Sequence, residues 1–320
     1  MQNHFPTSSD ILDARTRIQS YIHKTQVITN SYINSLVENE VFFKCENFQK
    51  AGAFKSRGAV NAILSLRPDQ QTKGVATHSS GNHAQALARA AQLFGLPAYI
   101  VMPKNAPLVK IAAVKDYGGI ITFCEPTLEA RESTLRKVIE KTGAVEIHPY
   151  NNYTIITGQA TAAAELFEQT PKLNYLLCPV GGGGLLSGTA LSTAYFSEGT
   201  SVIACEPAGA DDAFRSFYSG EIVPSVQPRT IADGLLTSLG TRNFPIILKY
   251  VEGVVTVSEA SIVEAMRLLY ERAKIVIEPS SAVPLAALIE GKVAVKGKKI
   301  GVILSGGNVD LATLPFCNKQ

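Results

Sequence analysis

The sequence predicts an α/β protein built as two open parallel-sheet lobes with a cleft between them, and three observations carry that prediction. From residue 75 to residue 147, short β-branched runs alternate with longer helical stretches, the pattern of successive βαβ units. A second alternation runs from Tyr175 to Leu304. Four consecutive glycines, Gly181, Gly182, Gly183 and Gly184, follow the buried run Tyr175-Leu176-Leu177-Cys178, at the strand end where open α/β sheets bind ligands.

Along the chain, Asp10 is expected to cap a first helix carrying Ile11, Leu12, Ile18 and Tyr21, and Asn30 a second, short one before the strand Val41-Phe42-Phe43-Lys44-Cys45. Ala53-Phe54-Lys55-Ser56-Arg57-Gly58 opens the next helix. Strands at 75–77, 98–102, 120–123 and 145–147 then alternate with helices at 82–94, 108–117 and 128–141. His148-Pro149-Tyr150-Asn151 breaks this series, and an alanine-rich helix over 154–168 leads into the strand at 175–178; a domain boundary is placed there. Helices at 185–195, 210–218, 258–273 and 281–289 and strands at 201–205, 253–257 and 300–304 complete the chain, with no short repeat or low-complexity segment.

Composition narrows the function classes. The 320 residues are 46% hydrophobic and 18% charged, enough apolar material for two lobes, and a net charge of +3 with interspersed signs leaves no basic stripe for nucleic acid. Met1 to Ser9 lacks the pattern of a secretory leader, and no apolar run approaches the ~20 residues of a membrane span, so a cytoplasmic protein is expected. Cys45, Cys124, Cys178, Cys205 and Cys317 are scattered without a C-x-x-C pair and read as buried thiols of a reducing compartment.

Chemistry concentrates in a few stretches. A lysine at the positive end of a helix gains nothing from local electrostatics, and a lowered pKa there suits an amine that attacks a carbonyl to form a Schiff base. The plain alternative for Lys55 is a solvated surface amine. The glycine run offers backbone N–H groups to a phosphate at a helix N-terminus; it has neither the lysine of a nucleotide-triphosphate loop nor the spacing of a dinucleotide fingerprint, although Glu206 stands where a ribose-binding acid would. His78-Ser79-Ser80-Gly81-Asn82-His83-Ala84-Gln85 brings hydroxyls, a carboxamide and an imidazole to a strand end, and Ser305-Gly306-Gly307-Asn308 does the same after the last strand. Both could be capping and loop residues taken singly. Glu206-Pro207-Ala208-Gly209-Ala210-Asp211-Asp212 is an oxygen-rich turn of the kind that suits a hard divalent cation, or a merely solvated acidic loop.

Jointly, Ala53-Phe54-Lys55-Ser56-Arg57-Gly58-Ala59, Ser79-Ser80-Gly81-Asn82-His83, residues 181–184 and Ser305-Gly306-Gly307-Asn308 resemble, in order and spacing and nearly end to end, the pyridoxal-phosphate enzymes of fold type II (tryptophan synthase beta-like), in particular the serine racemase and serine/threonine dehydratase family. The resemblance implies a large cofactor-binding domain of residues 1–73 and 149–320 and a small mobile domain of residues 74–148. It implies that Lys55 holds pyridoxal 5'-phosphate as a Schiff base with Phe54 against the ring, that Asn82 bonds the ring hydroxyl, that Gly181, Gly182, Gly183 and Gly184 bind the phosphate, and that Ser305 faces the pyridine nitrogen. A serine hydroxyl there donates to an unprotonated nitrogen, a weaker electron sink that favours prompt loss of a β-leaving group.

By the same resemblance Lys55 is the base that takes the α-proton, and Ser80 is a hydroxyl on the opposite face, the arrangement that permits racemisation. Ser79, Ser80, Gly81, Asn82 and His83 would hold the substrate with Arg131, Asp233 and Thr237, the last standing where serine racemases carry serine. Glu206, the Ala210 carbonyl and Asp212 would bind Mg2+, or Ca2+ or Mn2+. Lys50, Gln85, Tyr117, Lys274 and Asn308 match an ATP or AMP effector site at a homodimer interface, with Leu12 in place of its acidic contact. No regulatory domain is expected after Ser305, so isoleucine feedback is not. The expected activity is dehydration of L-serine and L-threonine with serine racemisation beside it; the alternatives are a primary serine racemase, a threo-3-hydroxyaspartate dehydratase, and, from other classes, a nicotinamide-dependent oxidoreductase or a non-catalytic amino-acid-binding module.

Overall fold

The computed structural model describes residues 5–106 and 108–316; Cys317 and the Met1–His4 start of the N-terminal segment lie outside the described residues. Helix α1 (Ser8–Ile18), strand β1 (Val27–Ile28), α2 (Ser31–Leu36), β2 (Glu40–Cys45), α3 (Lys55–Leu64) and α4 (Pro68–Gln71) precede a regular alternation: β3 (Val75–His78), α5 (Asn82–Leu93), β4 (Ala98–Pro103), α6 (Leu108–Asp116), β5 (Ile120–Cys124), α7 (Leu128–Thr142) and β6 (Val145–Glu146). Then follow α8 (Tyr153–Gln169), β7 (Tyr175–Pro179), α9 (Gly184–Phe196), β8 (Ser201–Pro207), α10 (Asp212–Ser219), α11 (Phe244–Tyr250), β9 (Gly253–Val257), α12 (Glu259–Leu268), α13 (Pro279–Ile289) and β10 (Lys299–Leu304).

The strands form a six-stranded sheet in the order β1-β2-β10-β7-β8-β9 and a four-stranded sheet in the order β5-β4-β3-β6. Every pairing is parallel except that of β1 with β2. The α/β class with parallel-sheet lobes is thus borne out. β10 lies between β2 and β7, pairing Leu304 with Cys45 and Val302 with Leu177. Side chains on these strands point alternately to two cores: Val41, Phe43, Leu177, Val302 and Leu304 pack with α12 and α13, whereas Phe42, Leu176, Cys178 and Ile303 pack with α8 and α9.

Helix α3 crosses α8 at backbone contact, with Gly58 against Gly158. A fully buried ionic cluster locks the crossing. The Arg57 guanidinium donates to Glu46 at 2.7 and 2.8 Å and to both Glu165 oxygens at 2.8 Å. Lys44 donates to Glu165 at 2.9 Å, to the Thr25 carbonyl and to Gln169. Two cations face two carboxylates, and the Thr25 and Thr161 hydroxyls complete the shell.

Several expectations are corrected. Asp10 is not the N-cap of α1: Thr7 is, and Asp10 supplies the reciprocal half of a capping box by accepting from the Thr7 N–H at 2.7 Å. The helix expected from 210 begins at Asp212 after a 3-10 turn, and the helix expected over 258–273 loosens into a π turn at Leu269–Ala273 before the left-handed Lys274. Helices α4 and α11, short and opened by Pro68 and Pro245, have too few turns to show a clear period. Among the described residues Cys45, Cys124, Cys178 and Cys205 are buried free thiols, and no helix is long and apolar enough to cross a membrane.

Removing Glu165 from the ionic cluster leaves Lys44 without a carboxylate and Arg57 with Glu46 alone, two buried cations against one anion. Glu165→Ala is therefore expected to lower unfolding free energy by about 3–5 kcal/mol, to be read from a shift in the urea midpoint at unchanged slope.

Candidate cofactor site

Two motifs from opposite ends of the sequence meet first. Because β2 and β10 are neighbours, the chain leaving β2 toward Lys55 and the chain leaving β10 at Ser305 run side by side. The Phe54 N–H donates to the Ser305 carbonyl at 3.0 Å, the Gly307 N–H donates to the Gly52 carbonyl at 2.8 Å, and Ala53 forms a bridge with Gly306. Half-buried Lys55, in the first turn of α3, donates to the Pro149 carbonyl at 2.9 Å and lies 5.0 Å from the centre of the Phe54 ring. Burial depresses its pKa to about 8, with Glu278 opposing the shift. The lowering expected of a helix-terminal lysine is present, and desolvation is its main cause. Ser305 is buried with its Oγ 3.1 Å from that of Ser281. Ser281 spends its single proton on the Gly306 carbonyl, so in the contact between the two hydroxyls Ser305 is the donor and Ser281 the acceptor.

The four glycines link β7 to α9. A Cβ at Gly182 would lie 2.4 Å from the Tyr150 ring, and Gly183 has φ of 89°, so neither position accepts a side chain. Among the described residues no loop carbonyl or side chain accepts from the N–H groups of Gly181, Gly182 or Gly183. An open row of N–H donors ahead of a buried helix suits a phosphate.

The residues 79–83 sit at the end of β3 and the start of α5. Asn82 is fixed by its neighbours: its Nδ2 donates to Glu278 at 2.8 and 3.0 Å, and its Oδ1 accepts from Asn308 at 2.9 Å. Ser79 Oγ accepts from the Gly81 N–H at 3.3 Å, and Ser80 is half-buried. His83 is buried, with Nε2 3.0 Å from the Ile147 carbonyl; burial and then the Lys55 charge push its pKa down to about 3, so it is neutral with the proton on Nε2 and its buried Nδ1 unpartnered. His148 Nδ1 accepts from the Asn151 N–H at 2.9 Å, and burial lowers its pKa to about 4. Its ring lies 6.2 Å from that of His78.

Arg131, half-buried on α7, lies close enough to help burial depress His78, and its Nε is buried without a hydrogen-bond partner. Asp233 is ion-paired with Lys110 of α6, a contact between the segment after β8 and the face of the four-stranded sheet. Thr237 is exposed and faces the Tyr150 phenol.

At the acidic turn, Glu206 and Asp212 are both buried. The Glu206 carboxylate accepts from the N–H groups of Ala213 and Phe214 at 2.9 and 2.8 Å, yet burial still raises its pKa to about 8. Neither oxygen of Asp212 meets a donor at hydrogen-bond geometry; burial raises this acid to about 6, and the nearby Ser225 hydroxyl offsets it only in part. Ala210 is buried beside them. Among the described residues no three His, Cys, Asp or Glu side chains group as a metal site, so any ion here depends on backbone oxygens as well. Of the effector set, Asn308 is bonded to Asn82 and to the Ala51 carbonyl, Gln85 is buried, Tyr117 packs beside the core of the four-stranded sheet, Lys50 is half-buried and Lys274 is exposed; no hydrogen bond joins any two of the five among the described residues.

Sequence reasoning missed Glu278, Tyr150, His148 and Lys110. Glu278 had a readable signal, a carboxylate between the apolar run Ile275-Val276-Ile277 and the helix-opening Pro279. Tyr150 and His148 belong to the break between the two alternations, noticed without a role, and Lys110 is one of many lysines on a helix.

A depressed lysine, an aromatic ring, a buried hydroxyl and a phosphate cradle fit a small phosphorylated aldehyde. The comparisons agree. A model of the family described as "Pyridoxal-phosphate dependent enzyme" matches residues 18–306. The chain is 51% identical over 312 residues to a serine racemase of Dictyostelium discoideum, covering 96% of each chain. It is 49% identical to a beta-hydroxyaspartate dehydratase of Paracoccus denitrificans, covering 98% of this chain and 99% of that one. A solved threonine deaminase from T.th. superposes with a TM-score of 0.91 at 41% identity, covering 95% of this chain and 99% of the other. The nicotinamide-dependent alternative finds no support in these matches. The chain belongs to the pyridoxal-phosphate dependent enzymes.

Proposed function

We propose that the protein is a dehydratase of hydroxy amino acids, a pyridoxal-phosphate ammonia-lyase that converts L-serine to pyruvate and L-threonine to 2-oxobutyrate with release of ammonia, and that it racemises serine as a side activity. The observation that carries the reading is Lys55, an amine of lowered pKa set beside Phe54 and joined through backbone hydrogen bonds to the Ser305 turn. Relatives named serine racemase, beta-hydroxyaspartate dehydratase and threonine deaminase support it.

Lys55 would hold the cofactor's aldehyde carbon, residues 181–184 its phosphate, Asn82 its ring hydroxyl, and Ser305 its ring nitrogen. When bound, the cofactor supplies an electrophilic carbon for the substrate amine and a ring that withdraws electrons from the α-carbon. The protein's part is proton handling. Lys55, with a pKa of about 8, is neutral often enough near pH 7–8 to take the α-proton. Ser80 supplies a hydroxyl for the opposite face, where a returning proton inverts the centre. Ser79, Gly81 and the backbone N–H of His83 would line the substrate carboxylate, the His83 ring proton being held by the Ile147 carbonyl, and Thr237 with Asp233 would bound the side-chain end. The β-hydroxyl leaves with a proton as water, and a second water hydrolyses the unsaturated amine to keto acid and ammonia.

A second reading has its own support. The buried, unpartnered Nε of Arg131 beside His78 suits a substrate with another carboxylate, and the Paracoccus relative bears the corresponding name. Threo-3-hydroxyaspartate is therefore a rival first substrate in the same chemistry.

We further propose that residues 74–148 move against residues 1–73 and 149–320 on substrate binding, with the Lys110–Asp233 pair among the contacts that change. Mg2+, or Ca2+ or Mn2+, would take Glu206, the Ala210 carbonyl and Asp212, supported by the unpartnered Asp212 oxygens. A homodimer is supported by the exposed Tyr32, Phe48 and Val276, which lie near one another through Asn30–Arg272 and Asn47–Val276 hydrogen bonds. ATP or AMP would bind at that interface through Lys50, Gln85, Tyr117, Lys274 and Asn308. The buried free thiols suit a cytoplasmic location.

The deciding experiment is a visible spectrum of the purified protein before and after L-serine, L-threonine and threo-3-hydroxyaspartate, with keto acid and D-serine assayed in the same samples. A cofactor band that responds as keto acid accumulates is expected, and the fastest substrate names the enzyme; a protein still colourless after incubation with pyridoxal phosphate would end the proposal. Lys55→Ala is expected to lose both keto acid and D-serine formation.

The acid pair gives a prediction independent of turnover. Glu206 and Asp212 hold protons more tightly folded than unfolded, so they stabilise the metal-free protein below about pH 4, and that contribution fades as pH rises through about 6 and about 8. The melting temperature of chelator-treated protein should fall across this range. Millimolar Mg2+ should restore it at the upper end in the parent and fail to do so in Asp212→Asn; equal responses would remove the metal assignment.

A further inference from the structure

Glu278 is a buried carboxylate in the cleft with no part in the chemistry above. It is the N-cap residue of α13 and immediately precedes Pro279, which restricts its backbone to the extended region it adopts. Both of its oxygens accept from Asn82 Nδ2. On the other side Asn308 Nδ2, anchored on the Ala51 carbonyl at 2.8 Å, donates to Asn82 Oδ1. A carboxylate accepts only, and an amide nitrogen donates only, so these two neighbours dictate which end of the Asn82 carboxamide points where. The carboxylate also abuts the turn after β10: a Cβ at Gly306 would lie 2.7 Å from Glu278 Oε1. Glu278 therefore touches two of the motifs that define the pocket.

Its charge reaches a third. The charged and polar groups that face it are Asp233, Lys110 on α6, Lys55 on α3, Asn82 on α5 and the backbone N–H of Asn308. Burial, then Asp233, raises the Glu278 pKa to about 7, and the ionised form in turn raises that of Lys55.

We propose that Glu278 is a positioning residue of the cofactor pocket, whose carboxylate holds the Asn82 carboxamide with its nitrogen toward the ligand and supplies the negative charge that tunes the Lys55 amine. A single Nδ2 hydrogen shared across the two carboxylate oxygens leaves the second for the ring hydroxyl. The proposal rests on the reading of this site as a pyridoxal-phosphate pocket.

The test compares holoenzyme of the parent, Glu278→Gln and Glu278→Ala. Two quantities are read: the pH midpoint of the bound cofactor's visible band, and cofactor affinity from the dependence of that band on added pyridoxal phosphate. Glu278→Gln keeps an acceptor for Asn82 and loses the charge, so its midpoint should fall by about one pH unit with affinity little changed. Glu278→Ala loses both, so the same fall should come with affinity weakened about tenfold or more. A merely space-filling glutamate would leave the midpoint of Glu278→Gln where the parent has it, and that result would overturn the proposal. If Glu278→Ala does not fold by circular dichroism, the glutamine variant alone decides. A parent that takes up no cofactor overturns the reading of the pocket and this proposal with it, whereas a coloured parent matched by Glu278→Gln overturns this proposal only.

Discussion

Arg57 stands two residues beyond Lys55 on the same helix, and its guanidinium is held between Glu46, just after β2, and Glu165 on α8. Such a cluster adds little net stability, since desolvation of four charges offsets most of their attraction, but it has one geometry in which every donor and acceptor is met. That geometry sets the rotation of α3 about its own axis and the depth at which its first turn meets β2 and α8. Lys55 inherits both. A hydrophobic crossing would let α3 slide by a fraction of a turn; five hydrogen bonds from one planar guanidinium do not.

Burial also sets the proton affinities of the cleft. Lys55 is pushed down to about 8 and Glu278 up to about 7, while His83 and His148 fall to about 3 and about 4. Desolvation leads in all four, and it disfavours whichever form carries charge. The result is a pocket in which the imidazoles are held neutral as hydrogen-bonding groups, the amine gives up its proton more readily and the carboxylate holds one more tightly. An amine so lowered suits a reaction that takes a proton and returns it.

The alternation of strands and helices was legible because parallel strands buried on both faces and amphipathic helices leave strong periodicities, and the glycine run because its four positions have little room for side chains. Lys55, Asn82 and Ser305 were legible through their local neighbours. Tyr150 was not, and Glu278 only as a carboxylate oddly placed before Pro279, because the role of each comes from partners far away in sequence: Asn82 for Glu278, Gly182 and Gly184 for Tyr150. The first helix cap was misread by three residues because threonine and aspartate share the capping box and either can occupy the cap. Asp233 was read as a pocket wall without its partner, since no sequence pattern ties it to Lys110.

The bridge between residues 52–54 and 305–307 has a consequence for the order in which the protein is made. The amine and the hydroxyl of the pocket are held by one short antiparallel stitch, and that stitch exists only when β10 has been inserted between β2 and β7. During synthesis the Lys55 helix emerges early and must wait for nearly the whole chain before its pocket has a floor. Contacts this distant along the chain form late and slowly. A chain that stops short of β10 carries Lys55 on its helix without the Ser305 turn beside it.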